Sequence, residues 1–423
     1  MLDIKFIREN KDLVSLGAKK KHIDFDVDKL ISVDDKRKVL LTSIEKKRAE
    51  QNEVSEKIVK ISNPDEKKEM ISKMQLLKTE LQEEEGELKS VMHEWQTLMI
   101  SVPNIPDISV PEGVDDKDNQ ELKKWGEISK FDFTPKDHIE LMQNLGMLDL
   151  ERGTKVSGFR GYFLKGDGAR LQFALWKYVQ DFFEKKGDFT PMIVPSLLKR
   201  ELLLGTGYIP QGEDDLYKTQ DGDYLSGTAE VATMGYYMDE ILDKKDLPIK
   251  FLSFSDSFRR EAGSHGKDTK GILRVHEFYK YEQVVLCTAS HEESVKFHEE
   301  IQRNTEEITE ALGLPYRVVA NCGGDLGLGQ VKKYDIEVWV PSENMYRETG
   351  SASYFHDFQT RRLNIRYRDD DGKIKFVHSL NNTAMSGRPL IMIVENYQQS
   401  DGSIKIPEAL QPYMNGQTVV SKK

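Results

Sequence analysis

The chain has 423 residues, 31% of them charged, and a formal net charge of −11. That length predicts two domains rather than one. No apolar run approaches the roughly 20 residues of a membrane span, so no membrane partner is expected, and the acidic balance argues against a protein that coats nucleic acid unselectively, though not against a local basic RNA-binding face. The opening Met1–Asn10 lacks the uninterrupted apolar core of a secretory signal. Two cysteines, Cys287 and Cys322, make neither a disulfide framework nor a four-ligand zinc site by themselves. A reducing, cytoplasmic location is expected.

Asp3 to Lys20 reads as one short amphipathic helix. From Leu30, a seam at Leu30, Val33, Arg37, Leu40, Ile44, Lys47, Gln51, Val54, Ile58 and Ile61 is spaced alternately by three and four, which is a heptad pattern. Asn63-Pro64-Asp65 breaks it. A second seam follows at Met70, Met74, Leu77, Leu81, Glu84, Leu88, Val91, Trp95 and Leu98. Two helices of similar length joined by a short turn predict an antiparallel coiled-coil hairpin, with arms roughly 50 Å long. The arm reads either as a spacer or dimerisation stalk, or as a lever for a distant partner. Its Lys46, Lys47, Arg48, Lys57, Lys60, Lys67 and Lys68 are interleaved with Glu and fit both readings. Pro103, Pro106 and Pro111, followed by acidic Asp115–Asp118, predict a stiff linker. The expected division is therefore 1–102, 103–119 and 120–423.

In the remaining chain, strand-like runs (Phe251–Phe254, Val284–Cys287, Tyr316–Ala320, Asp335–Val340, Phe376–Ser379) alternate with helical patterns over Gly168–Lys186 and His291–Leu312. The fold class expected is α+β. No Gly-x-Gly-x-x-Gly turn and no Walker A sequence is present, so a nucleotide site here belongs on an antiparallel sheet.

Four places carry possible chemistry. Ile249–Phe254 and Leu273–Leu286 read as strands of a hairpin whose polar connection holds Arg259, Glu261, Arg274, Glu277 and Phe278, a setting for an anion. Ser226–Glu230 places Thr228 and Glu230 two residues apart, on one face if this is a strand, or as a helix cap. Tyr346–Ser351 follows the strand Asp335–Val340 and carries Glu348. Asn381–Tyr397 is a Gly-Arg-Pro turn leading into an apolar helix, with Arg388 at the positive end of the helix dipole. Each has a plain alternative as a surface ion pair or a cap.

In order, a helix and strand ending in Pro195, then Phe258-Arg-Arg-Glu with Arg274-Val-His-Glu-Phe, then Gly387-Arg-Pro before an apolar helix, resemble the three signature motifs of class II aminoacyl-tRNA synthetases. Gly227-Thr-Ala-Glu, Glu261-Ala-Gly-Ser-His-Gly-Lys, Lys333-Tyr-Asp-Ile-Glu-Val-Trp, Asp357-Phe-Gln-Thr-Arg-Arg, Glu395-Asn-Tyr-Gln and the opening Met1-Leu-Asp-Ile-Lys are similar to the seryl-tRNA synthetase family. The resemblance implies an N-terminal tRNA-binding arm, a catalytic domain on an antiparallel sheet flanked by helices, a homodimer, and the substrates ATP, L-serine, tRNA(Ser) and also tRNA(Sec). Competing readings are a synthetase-like RNA-binding or regulatory protein without catalysis, and a ligase that loads a carrier protein, which would not need the arm.

Carried over by residue, the resemblance implies that Arg259 bridges the serine carboxylate and the α-phosphate. Glu261 would bind the adenine amino group, Phe278 and Arg388 would enclose the base, and Val275 would line it. Arg260, Thr349 and Gly350 complete the implied ATP site. Glu348 and Ser351 would hold Mg²⁺ and phosphate. Thr228 and Glu230 would position the serine amino group, and Glu282 and Thr383 the serine hydroxyl. Arg259, Glu348 and Arg388 are the implied catalytic residues. The chain departs from the family after Glu348, where Ile-Ser-Ser-Cys-Ser is commoner and Thr349-Gly-Ser-Ala-Ser stands here, so Ser351 keeps its place but Gly350 removes a hydroxyl; the 382–387 loop is one residue shorter. Lys267 and Lys270 have no assigned role.

Overall fold

The computed structural model describes residues 1–422 apart from Ser264, His265 and Lys267. It divides into two compact units, residues 2–19 with 23–103, and residues 1, 20–22 and 104–423.

In the smaller unit the helices Val27–Lys60 and Pro64–Ser101 pair along their length. The Asn63 side chain caps the second by accepting from the Asp65 amide at 3.0 Å, and Pro64 opens that helix, where a backbone N–H would have no helical partner. Every position of both predicted seams is buried or half-buried. Ion pairs Lys36–Glu87 (2.7 Å), Lys47–Glu80 (2.6 Å) and Lys73–Glu50 (2.9 Å) cross the hairpin and show the helices to be antiparallel. Such exposed pairs add little individually, so the apolar seam holds the arm together. The single helix expected over Asp3–Lys20 is two, Ile4–Glu9 and Lys11–Lys20. The break falls at Asn10, whose backbone leaves the helical region at φ −127°, ψ 39°, while its side-chain amide donates to the Phe6 carbonyl at 3.0 Å.

The larger unit is built on an eight-stranded sheet. Across it, the order is Gln120–Trp125, Tyr316–Ala320, Lys332–Val340, Met345–His356, His378–Met385, Glu277–Cys287, Ile249–Phe258 and Thr190–Ile193. All neighbours are antiparallel except the last pair. One apolar cluster joins Leu252, Val285, Ile336 and Leu380 of the sheet to the helices Asp167–Lys186, His291–Ala311 and Arg388–Asn396. The strand expected from Leu273 begins only at Glu277. The segment after Pro103 is tied to this unit, with the Asn104 side chain donating to the carbonyls of Gly329 (3.0 Å) and Phe355 (2.8 Å).

His298 is buried between Tyr334 and Tyr354, its Nε2 3.0 Å from the Ala352 carbonyl. Burial lowers its pKa from 6.5 to about 4. The unfolded chain therefore binds a proton that the native chain refuses, and stability falls as pH drops from about 6.5 to 4, by on the order of 3 kcal/mol at the acid end. His298→Gln, which keeps a donor for Ala352, is expected to flatten that slope in denaturant melts taken between pH 4 and 7.

Candidate active site

The hairpin of Ile249–Phe258 and Glu277–Cys287 pairs from Phe258↔Glu277 to Ile249↔Leu286. The Arg259 amide extends the ladder by one bond, to the His276 carbonyl at 2.9 Å. The Arg259 guanidinium then lies 5.4 Å over the Phe278 ring, held by 3.3 Å bonds to the Gly227 carbonyl. Two residues on, Glu261 takes a left-handed φ of 56° and its carboxylate receives Arg274 at 2.5 Å. Arg260, between them, points away, donating to the Asp214 carbonyl at 3.0 Å.

Thr228 and Glu230 are not on a strand. Thr228 is the N-cap of the helix Ala229–Gly235, accepting from the Glu230 amide at 3.3 Å, and Glu230 sits in the first turn. The cap arises because the Thr228 hydroxyl satisfies an N–H that the first helical turn leaves over.

Two β-bulges aim the other carboxylates. On His378–Met385 the pairing slips from Tyr281↔Met385 to Glu282↔Thr383, leaving Ala384 extra. Glu282 and Thr383, about a hundred residues apart in sequence, thereby become register partners, and the Thr383 hydroxyl donates to Glu282 at 3.4 Å. The Lys280 ammonium pairs with the same carboxylate at 2.5 Å.

On Met345–His356 the pairing slips from Ile336↔Gly350 to Glu337↔Glu348, leaving Thr349 extra. Glu348 thus stands inside the strand that follows Lys332–Val340. Residues three apart on a regular strand face opposite ways; the bulge puts Glu348 and Ser351 on the same face. Gly350 has a steric role here, since a Cβ would stand 3.0 Å from the Thr383 Cβ and 3.1 Å from its carbonyl oxygen. The missing hydroxyl at 350 is therefore matched to close approach of the neighbouring strand.

Glu348 faces the cavity, so its side chain is 46% exposed although protein surrounds it. Burial alone would raise its pKa, but Arg388, Lys333 and Arg259 outweigh that and keep it ionised well below the usual range. Arg388 opens the helix Arg388–Asn396 and folds back, donating to the Glu348 carbonyl at 2.7 Å, to its carboxylate at 3.3 Å and to the Leu273 carbonyl at 3.3 Å.

These elements enclose a cavity of about 1200 Å³. Glu230, Arg259, Glu261, Val275, Phe278, Glu282, Glu348, Thr349, Gly350, Ser351, Thr383 and Arg388 all line it; Thr228 and Arg260 do not. Lys270 is exposed, and Lys267 lies outside the described residues. Lys280, Lys333 and Tyr208 also line the cavity; the sequence offers Lys333 only as the start of a family-like run, without a site role, and the other two not at all. Lys280 was findable, because it stands two residues before Glu282 on one strand and shares its face. Tyr208 follows a short helix and carries no local signal.

Arg259, Arg388 and Lys333 at one cavity suit a polyanion. Glu348 and Ser351 offer hard oxygen donors on one face, which fits a Mg²⁺ ion held chiefly by phosphate oxygens and water. Among the described residues, no group of three or more His, Cys, Asp or Glu side chains could hold a metal without such help.

Known proteins with this arrangement agree across the whole chain. The family described as "Seryl-tRNA synthetase N-terminal domain" matches residues 1–106, and "tRNA synthetase class II core domain (G, H, P, S and T)" matches residues 216–397. The serine–tRNA ligase of Deinococcus radiodurans is 44% identical, over 100% of this chain and 99% of its own. That of Treponema denticola is 44% identical over 98% of each chain. The crystal structure of seryl-tRNA synthetase from Pyrococcus horikoshii complexed with ATP superposes with a TM-score of 0.90 at 38% identity, covering 100% of both chains. The cytoplasmic serine–tRNA ligase of Naegleria fowleri in complex with AMP gives 0.87 at 32% identity, covering 100% and 99%. With full-length identity at this level and superposition over the whole chain, the chain belongs to the seryl-tRNA synthetase family of class II aminoacyl-tRNA synthetases.

Proposed function

We propose that the chain is a working serine–tRNA ligase. It activates L-serine with ATP, giving seryl-adenylate and pyrophosphate, and passes serine to the terminal ribose hydroxyl of tRNA(Ser), with tRNA(Sec) as a further acceptor. The observation that carries this reading is one cavity holding both a cationic wall, Arg259, Lys333 and Arg388, and a buried polar end, Glu230, Lys280, Glu282 and Thr383. A protein that had kept only RNA binding would have no need of either.

Adenylation brings a carboxylate against a triphosphate, so the barrier is one of charge and geometry. Arg259 would hold the serine carboxylate in line with the α-phosphorus and take up the charge that develops there. Phe278 and Glu261 would fix adenine by stacking and hydrogen bonding, with Arg388 covering the base and reaching the γ-phosphate. Mg²⁺ bound at Glu348 and Ser351 would neutralise phosphate charge. No side chain acts as a nucleophile, because the substrate carboxylate attacks directly.

At the polar end, Glu282 and Thr383 would receive the serine hydroxyl and Glu230 the ammonium. A site built to bond a hydroxyl can reject an analogue lacking it by about 10⁴–10⁵-fold, since its own buried groups are left unpaired. Pyrophosphate exchange measured with each amino acid tests this: serine alone is expected to support it. Glu282→Ala should raise the KM for serine by about a hundredfold or more and leave the KM for ATP nearly unchanged. Equal loss of both substrates sinks the pocket assignment.

The implied division is a tRNA-binding arm (1–102), a linker (103–119) and a catalytic domain (120–423), acting as a homodimer in the cytoplasm. The arm's Lys46, Lys60, Lys67 and Lys68 are exposed and have no ion-pair partner among the described residues, so they can meet RNA phosphates. Among the described residues no helix is long and apolar enough to cross a membrane.

A further inference from the structure

Glu230 is buried and lines the cavity, yet among the described residues no cation touches it. Its two oxygens are instead held by neutral donors. Tyr208 Oη donates to one at 2.8 Å, and Gln359 Nε2 to the other at 2.6 Å. Gln359 lies in the helix Phe358–Arg362 and is itself fixed from both ends. Its Nε2 also donates to the Thr206 carbonyl at 3.2 Å, and its Oε1 accepts from the Ser379 hydroxyl at 2.7 Å. A flipped amide would set its oxygen against the Glu230 carboxylate, so one orientation is imposed.

A carboxylate has about four acceptor positions. Tyr208 and Gln359 fill two and leave two for a ligand. At this end of the cavity Lys280 is already paired to Glu282 at 2.5 Å, and Glu230 has no ion-pair partner among the described residues, so its carboxylate is the group left open to a ligand cation. We propose that Gln359 and Tyr208 are positioning residues for serine, holding the Glu230 carboxylate turned so that its free lone pairs receive the substrate ammonium. This rests on the reading above that Glu230 takes the amino group of serine.

The groups facing Glu230 decide its titration. Burial raises its pKa above the usual carboxylate value, and nearby Glu282 adds to this; Gln359, Tyr208 and Lys280 oppose the rise without cancelling it. The Tyr208 phenol, pushed well above its usual range by burial and by Glu230, with Arg259 opposing, stays a donor throughout. Taking away either donor therefore raises the Glu230 pKa. A Glu230 that protonates too early cannot pair with an ammonium.

The test is pyrophosphate exchange by the full chain, with serine and ATP varied separately between pH 5.5 and 8.5, on Tyr208→Phe, Gln359→Leu and Glu230→Gln. Tyr208→Phe removes only a hydroxyl, so it keeps the proposal testable should Gln359→Leu fold poorly. Each donor variant is expected to raise the KM for serine about tenfold, as fits a lost bond to a charged group, with the KM for ATP within about twofold of the parent. In both, the acid limb of kcat/KM for serine moves up by about half a pH unit or more. A merely structural role would move both KM values together and leave the acid limb in place, and that result overturns the proposal. If Glu230→Gln leaves serine KM unchanged, the ammonium reading itself falls and this inference with it. If Glu230→Gln raises serine KM and the two donor variants do not, only this inference fails.

Discussion

Arg259→Ala is expected to lower the rate of serine-dependent pyrophosphate exchange by about 10²–10³-fold or more, the size seen when one preorganised donor is taken from a developing charge. In the proposed role the side chain carries charge at the cavity and little of the fold's packing. Among the described residues its guanidinium makes only 3.3 Å bonds to one carbonyl and lies over Phe278, so the fold loses little with it. The melting temperature should shift by no more than a few degrees. Arg259→Lys should recover only a small part of the rate, because an ammonium cannot offer the planar fork that spans two anionic groups. A loss below tenfold, or a loss that tracks unfolding in thermal melts, would remove Arg259 from the reaction centre.

Deleting residues 36–92 and joining the ends with a short Gly-Ser link is expected to leave pyrophosphate exchange within a few-fold of the parent and to abolish tRNA charging. The cut is structurally mild. Lys36 pairs with Glu87 and Lys29 with Glu94, so the new ends lie on facing helices about 10 Å apart. Val33, Trp95 and Leu98 remain to close the base of the hairpin. Every cavity-lining residue lies outside the deletion. Charging at the parent rate would show that the arm is a spacer, and joint loss of exchange and charging would show that it supports the catalytic unit. A salt series on the parent chain adds a check, because an affinity resting on Lys–phosphate pairs falls steeply with ionic strength.

The arm was the most legible part of the sequence. Its seams depend on a local period that neighbouring residues impose on one another, and every seam position is buried or half-buried in the structure. The helices Asp167–Lys186 and His291–Ala311 were legible within a residue for the same reason. The strand Met345–His356 was not, because Glu348-Thr-Gly-Ser has no apolar alternation to read. The helix Ala229–Gly235 is only seven residues long, too short to show a period, so Ser226–Glu230 read equally as strand or cap. The break at Asn10 is the departure of one residue from helical dihedrals, which no periodicity signals.

By itself the sequence determined the residue types and their order: the arginines and carboxylates of a charge-handling site, the heptads of the arm, and the motif succession that resembles one synthetase family. Which of those residues meet was decided by strand register. A bulge at Ala384 sets Glu282 against Thr383, and a bulge at Thr349 turns Glu348 to the face of Ser351. Each extra residue reverses the alternation of side chains beyond it, and the choice of where to bulge is made by the partner strand, far away in sequence. The Tyr208–Glu230–Gln359 cluster is of the same kind, drawn from three separate segments and visible only once the chain has folded.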